Sequence, residues 1–150
     1  MRSFVQNTFH LVFTPKYRKP ILELPGHARL HAYSKGWFEK KECKLFRMGG
    51  VEDHLHFAFF KHPSYAESDL VRDFKRSLHN FVDRSKLFPL FDKWQLRYSL
   101  FTYSYSARPA LFSYIENQVE HHRDQGAEYV QELRALYDEH GLPFHEYVLE

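Results

Sequence analysis

The chain of 150 residues contains a single cysteine, Cys43. One cysteine cannot form an internal disulfide framework or a zinc site built from several thiolates. The sequence also lacks an apolar run long enough to cross a membrane, and its first residues lack the apolar core and cleavage site of a signal peptide. We therefore expect a cytoplasmic protein in which Cys43 packs as a small, half-buried residue.

Low-complexity segments, internal repeats and long linkers are also absent. The composition is 43% hydrophobic and 18% aromatic, which is enough apolar material to fill one core in a chain of this length. We therefore expect one globular domain over 1–150. The formal net charge is only +2, which permits a nucleic-acid partner without requiring one, so the cations have to be examined locally.

The hydrophobic periodicity predicts the element order β-α-β-β-α-β, followed by two further helices. This order is typical of the α+β ferredoxin-like (RRM-like) fold, in which two helices cover one face of a four-stranded antiparallel sheet. The other face is then expected to be free for a functional site. The strands are predicted over 8–14, 44–48, from 49 to about 61 and over 94–105, and the helices over 24–42, 64–85, 109–124 and 128–140.

Two histidines on the third predicted strand are the first candidates for a functional site. His54 and His56 flank Leu55, and residues two apart on a strand point to the same face. Both imidazoles would be held on rigid backbone, because Leu55 and the apolar residues that follow would face the core. A chance pair of surface or packed histidines is the alternative, since the chain contains 11 histidines.

Tyr114, Gln118 and His121 are spaced by four and three residues on the third predicted helix, which stacks them on consecutive turns. Two imidazoles and an amide oxygen would suit a divalent metal such as Mg²⁺, Mn²⁺ or Zn²⁺. Such a metal would polarise a phosphoryl group, which a tyrosine could attack to form a phosphotyrosine. His121 is the alternative third ligand. The histidines expected to have only packing or surface roles are His10, His62, His79 and His122.

Two groups of cations are candidates for contacts with nucleic acid. One group surrounds Tyr17 in the loop after the first strand, where the aromatic ring could stack on a base. The other group lies along one edge of the second helix. Solvated surface charge is the alternative for both groups. The candidates are Lys16, Arg18, Lys19, Arg72, Lys75 and Arg76.

Taken together, these motifs resemble the single-tyrosine HUH transposase family. The family comprises the small transposases of insertion sequences and their relatives associated with repetitive extragenic palindromes. The resemblance covers nearly the whole chain and follows the family's order of motifs. It rests on four segments: 10–18, 49–56, Trp94-Gln95 and 114–122.

The resemblance implies a metal-dependent enzyme that cleaves and rejoins single-stranded DNA through a 5′-phosphotyrosine and recognises DNA hairpins. It implies Tyr114 as the nucleophile, and His54, His56 and Gln118 as ligands of Mg²⁺ or Mn²⁺. It also implies a cytoplasmic, nucleoid-associated homodimer. In such a dimer the tyrosine helix of one subunit can complete the histidine pair of the other, and the fourth strand would join the two sheets.

Two other functions stay open. A domesticated hairpin-binding protein would keep the fold and the recognition of DNA hairpins but would no longer catalyse transposition of a mobile element. An unrelated metal hydrolase would use His54, His56 and His121 with a metal-bound water, and its turnover would survive Tyr114→Phe.

Overall fold

The computed structural model describes residues 3–124 and 128–149. Short 3₁₀ turns stand at Lys16–Arg18, Leu24–Gly26, Tyr105–Ala107 and Glu146–Leu149. No described helix is long and apolar enough to span a membrane. The strands are β1 (Phe9–Phe13), β2 (Lys44–Val51), β3 (His54–Phe60) and β4 (Ser99–Thr102), and the helices are α1 (His27–Lys40), α2 (Glu67–Ser85), α3 (Arg108–Glu116), α4 (Gln118–Asp124) and α5 (Tyr129–Glu139).

The four strands form one antiparallel sheet in the order β2-β3-β1-β4. Helix α1 connects β1 to β2, and α2 connects β3 to β4, so each helix links two strands that are separated by a third. This is the predicted ferredoxin-like arrangement, which is confirmed. The two central strands, β1 and β3, are almost entirely buried.

The fourth strand is shorter than the sequence predicts. The prediction of a strand over 94–105 is wrong at both ends, because only Ser99–Thr102 pairs with β1. Before the strand, the Lys75 ammonium binds the carbonyl oxygens of Gln95 (2.7 Å) and Leu96 (3.2 Å). After it, the turn at Tyr105–Ala107 redirects the chain into α3.

The two faces of the sheet pack against different helices. Leu55, Phe57 and Phe59 lie in the core with α1 and α2, as their alternation predicts. The expectation of a free opposite face is wrong, because α3 and α5 bury their apolar stripes against it and leave His54 and His56 fully buried. The apolar residues that cover this face are Leu111, Ile115, Tyr129, Leu133 and Leu136.

The predicted helix over 109–124 is interrupted at Asn117, which separates α3 from α4. At the interruption, the Gln118 side-chain amide donates to the carbonyl oxygen of Tyr114 over 3.4 Å. Helix α3 crosses β2 at Gly49, which pairs with His56 of β3. A Cβ atom on Gly49 would overlap the carbonyl oxygen of Ile115. The absence of a side chain at Gly49 therefore lets the tyrosine-bearing helix approach the histidine pair.

We expect Gly49→Ala to destabilise the fold by about 3 kcal/mol, because neither the strand nor the Ile115 backbone can yield without moving α3. The matched control is Gly36→Ala in α1, where the new Cβ would have no neighbour within 4 Å. The control should stabilise the helix by about 0.5–1 kcal/mol. Denaturant unfolding of both variants measures the difference, and equal small effects would contradict the close approach of α3.

Candidate metal centre and active site

The two histidines of β3 direct the same ring nitrogen toward α4 and α5. His54 Nδ1 lies 2.7 Å from Asp53 Oδ1, and His56 Nδ1 lies 2.7 Å from His10 Nε2. Because these contacts engage each Nδ1, the Nε2 atom of each ring is left for another partner. Metal-binding histidines usually have such a second contact, which fixes the tautomer and the orientation of the ring.

Two oxygen donors meet these nitrogens. Gln118 Oε1 lies 3.1 Å from His54 Nε2, so the structure brings the predicted amide to the histidine pair. Glu132 of α5 contacts both histidines. Its Oε1 lies 2.7 Å from His56 Nε2, and its Oε2 lies 3.6 Å from His54 Nε2. Sequence reasoning missed Glu132. The available signal was a glutamate on the apolar face of α5, beside Leu133 and one turn after Tyr129.

The carboxylate of Glu132 is held ionised by its histidine neighbours. Burial opposes the charge, but His56 and His54 keep the pKa of Glu132 well below its usual range. Burial lowers the pKa of His56. For His54 the effect of burial is outweighed by Asp53 and Glu132, which raise its pKa to about 9. In the absence of a cation, the proton on His54 therefore balances the charge of Glu132.

The donor set fits a divalent cation. One ligand atom from each of His54, His56 and Glu132 lies within 4.8 Å of the other two. Within the described part of the chain, His56 Nε2 and Glu132 Oε2 are buried without a hydrogen-bond partner of suitable geometry. A cation would satisfy both atoms, and imidazole with carboxylate oxygen suits ions such as Mn²⁺ and Zn²⁺.

Tyr114 stands beside these donors. Its hydroxyl donates a hydrogen bond to Glu132 Oε1, and its ring lies edge-on to His56 with 5.5 Å between the centroids. Burial, followed by the charge of Glu132, raises the pKa of Tyr114 well above its ordinary value. The phenol is therefore protonated, and it needs a proton acceptor or a cation before it can act as a nucleophile. A cavity of about 480 Å³ opens beside Tyr114 between α3 and α5.

Three further histidines lie near the centre, and one of them, His121, is the alternative third ligand predicted from the sequence. His122, expected to be a packing residue, directly contacts Glu132 Oε2 through its Nε2 atom, and its ring centroid lies 4.6 Å from that of His54. His121 Nε2 lies 4.0 Å from Glu132 Oε2. His10 is a buried core histidine, as expected, but it contacts His56 directly.

We expect His10 to position His56 for metal binding. His56 Nε2 can accept a cation only if its Nδ1 carries the proton, and His10 Nε2 is the acceptor of that proton. His10→Phe should lower the affinity for Mn²⁺ about 10- to 100-fold, as measured by calorimetric titration. His10→Gln, which retains an acceptor oxygen, should recover part of the loss. Equal affinities for His10→Phe and wild type would contradict this role.

The predicted cations lie away from the buried donors, in two neighbouring places. Lys16, Arg18 and Lys19 are in the loop after β1. The helix α2 cations lie on the face of the sheet opposite the buried donors: Arg72, Lys75 and Arg76.

Two of the α2 cations are engaged within the protein. Arg72 forms ion pairs with Asp69 and Asp73 on its own helix. Lys75 binds backbone carbonyls, and burial lowers its pKa to about 8. A further cation, Lys93, was not singled out from the sequence. It lines both the groove that contains Lys16 and Lys19 and the groove that contains Arg76, and so connects them into one basic surface.

A ferredoxin-like sheet that presents two histidines to a tyrosine and an amide on the following helices fits an enzyme acting on phosphodiesters. The family model described as "Transposase IS200 like" matches residues 3–118. The chain belongs to the IS200-like transposase family. The match includes the histidine pair, Tyr114 and Gln118, but it ends before His121, His122 and Glu132.

Several solved structures match this chain, and two of them illustrate the shared fold. A protein described as a proposed transposase, from Deinococcus radiodurans R1, is 22% identical with a TM-score of 0.61, over 79% of this chain and 95% of that one. A REP-associated tyrosine transposase bound to a REP hairpin is 13% identical with a TM-score of 0.55, over 77% of this chain and 70% of that one. No curated protein matches the sequence.

Proposed function

We propose that the protein is a metal-dependent transposase that cleaves and rejoins single-stranded DNA through a 5′-phosphotyrosine at Tyr114. The observation that carries the proposal is the convergence of the Tyr114 hydroxyl with His54 Nε2, His56 Nε2 and the side-chain oxygens of Gln118 and Glu132. Membership of a transposase family supports the same reaction.

His54, His56, Gln118 and Glu132 would hold Mg²⁺ or Mn²⁺, which supplies Lewis-acid polarisation of the scissile phosphate. Tyr114 Oη attacks the phosphorus, and the bond from phosphorus to the 3′ oxygen breaks. The 5′ phosphate then remains on the tyrosine, and the other DNA end leaves with a 3′ hydroxyl. Glu132 Oε1, which already accepts the Tyr114 hydrogen bond, would take the phenol proton and pass it to the departing 3′ oxygen. The carboxylate does not keep the proton, because its histidine neighbours hold the pKa of Glu132 well below its usual range. Rejoining is the reverse attack by a 3′ hydroxyl and needs no ATP, since the phosphotyrosine retains the bond energy.

A direct test uses purified protein and single-stranded DNA that carries a hairpin beside the cleavage site. The DNA is labelled at its 3′ end, because that fragment would keep the phosphotyrosine bond. A protein–DNA band on a denaturing gel that requires Mg²⁺ or Mn²⁺ supports the proposal. Tight hairpin binding without such a band, whatever the metal, would favour the domesticated binding protein instead.

We further propose that the basic surface, defined by Lys16, Lys19, Lys93 and Arg76, binds the phosphates of a DNA hairpin. The structural neighbour bound to a REP hairpin supports a partner of this kind.

Arg76→Ala should weaken hairpin binding several-fold, because Arg76 is exposed and, among the described residues, takes part in no ion pair. The salt dependence of hairpin binding should fall as well. In a plot of the log of the association constant against the log of the salt concentration, the slope should be reduced by about 0.9. Arg72→Ala is the matched control on the same helix, and its effect should be smaller because Asp69 and Asp73 already neutralise Arg72. Fluorescence anisotropy at several salt concentrations measures both variants. A larger loss for Arg72→Ala would contradict this placement of the DNA.

The quaternary arrangement is also a proposal. The family resemblance implies a homodimer with composite sites. The distance of 5.5 Å between the rings of Tyr114 and His56 in one chain supports sites that are completed within each subunit. A site completed by the partner would require α3 to leave its close contact with Gly49.

A further inference from the structure

The carboxylate of Glu132 faces histidines on both of its oxygens. Oε1 lies 2.7 Å from His56 Nε2 and accepts the hydrogen bond of Tyr114. Oε2 directly contacts His122 Nε2 and lies 4.0 Å from His121 Nε2. Oε2 also lies 3.6 Å from His54 Nε2, so the buried carboxylate stands between the histidine pair of β3 and the two histidines of α4.

These donors form two triads that have only Glu132 in common. The first contains the histidine pair of β3, and the second contains His121 and His122 of α4. In each triad, one ligand atom per residue lies within 4.8 Å of the other two. Glu132 itself is 6% exposed, and its Oε2 atom lacks a hydrogen-bond partner of suitable geometry among the described residues.

The second triad is placed where it can reach a substrate. The side chain of His121 is 25% exposed and that of His122 is 13% exposed, whereas the histidines of β3 are completely buried. His121 also lines the cavity beside Tyr114, with 5.9 Å between the ring centroids of these two residues. The Tyr114 ring thus contacts one histidine of each triad.

We propose that His121, His122 and Glu132 form a second divalent cation site, joined to the first by the Glu132 carboxylate. Two imidazoles and one carboxylate oxygen favour a transition-metal cation such as Mn²⁺, Co²⁺ or Zn²⁺ over Mg²⁺. The site rests on the proposed function, because its first cation is the one held by the histidine pair. In phosphoryl transfer, a pair of cations can stabilise both the attacking and the leaving oxygen. The location of the second site beside Tyr114 fits this role in phosphoryl transfer.

The test is the number of Mn²⁺ ions that the full chain binds, measured by calorimetric titration of the metal-free protein. Wild type should bind two ions per chain, and its electron paramagnetic resonance spectrum should show a spin-coupled pair. His121→Ala and His122→Ala should each bind one ion and give an uncoupled spectrum. His122→Gln, which keeps a polar group, guards against a folding defect. His31→Ala, an exposed histidine on α1, should still bind two.

One ion per chain in the wild type would overturn the proposal, and so would two ions that persist in both His121→Ala and His122→Ala. A single ion whose affinity falls in His122→Ala would also overturn it, because His122 would then be a ligand of one shared cation. The covalent-product assay separates this failure from failure of the proposed function. If only the second site is absent, the metal-dependent band remains and still requires Tyr114.

Discussion

Tyr114→Phe should abolish the covalent protein–DNA product. The phenyl ring keeps the packing against His56, but it has no oxygen to attack phosphorus, so cleavage should fall by about 10⁴-fold or more. The measurement is the rate of formation of the 3′-labelled band in Mn²⁺. Tyr105→Phe is the matched control, because Tyr105 is an exposed tyrosine in the turn that leads into α3. This variant should cleave like the wild type.

Turnover that survives Tyr114→Phe would contradict the phosphotyrosine mechanism. It would instead favour a hydrolase in which His54, His56 and His121 hold a metal-bound water. Calorimetric titration of Tyr114→Phe with Mn²⁺ should show that the variant still binds metal. Loss of the product in this variant is then attributable to loss of the nucleophile.

His56→Ala should remove both metal binding and cleavage. The variant loses one buried nitrogen donor, together with the imidazole that lies 2.7 Å from Glu132 Oε1. We expect the affinity for Mn²⁺ to fall at least about 100-fold. The fold should lose about 3 kcal/mol, since the truncation removes a fully buried ring and leaves a cavity. Calorimetry and denaturant unfolding measure the two effects. Metal affinity equal to that of the wild type would rule out His56 as a ligand.

The same two variants test whether Tyr114 acts at the histidine pair of its own chain or at that of a partner chain. A mixture of Tyr114→Phe and His56→Ala chains should remain inactive if each site is completed within one chain, as the contact between Tyr114 and His56 favours. Recovered cleavage in the mixture would instead require the tyrosine of one chain to act at the histidine pair of the other.

Much of the fold follows from local patterns in the sequence. The alternation of Leu55, Phe57 and Phe59 against His54 and His56 predicts a two-sided strand, and β3 has that form. Apolar spacing also predicts the helices that connect the strands. Local patterns could not predict where the fourth strand starts, because a distant side chain, Lys75, binds the backbone carbonyls just before it.

The candidate site could be predicted only in part, for the same physical reason. The spacing of Tyr114 and Gln118 predicts that they share a helical face, and both do reach the histidine pair. Glu132 and His122 reach it through the packing of α4 and α5 on the sheet, which no short motif encodes. A charged residue on an otherwise apolar stripe, such as Glu132, is a useful indicator of a buried site.

The most direct test of the central claim is mass spectrometry of the covalent product after nuclease and trypsin digestion. Because Arg108 precedes a proline, trypsin should release residues 98–123 as one peptide, which contains four tyrosines. We predict a nucleotide joined through its 5′ phosphate to Tyr114 alone. A nucleotide on Tyr103 or Tyr105, or cleaved DNA that carries a free 5′ phosphate and no protein, would contradict the account.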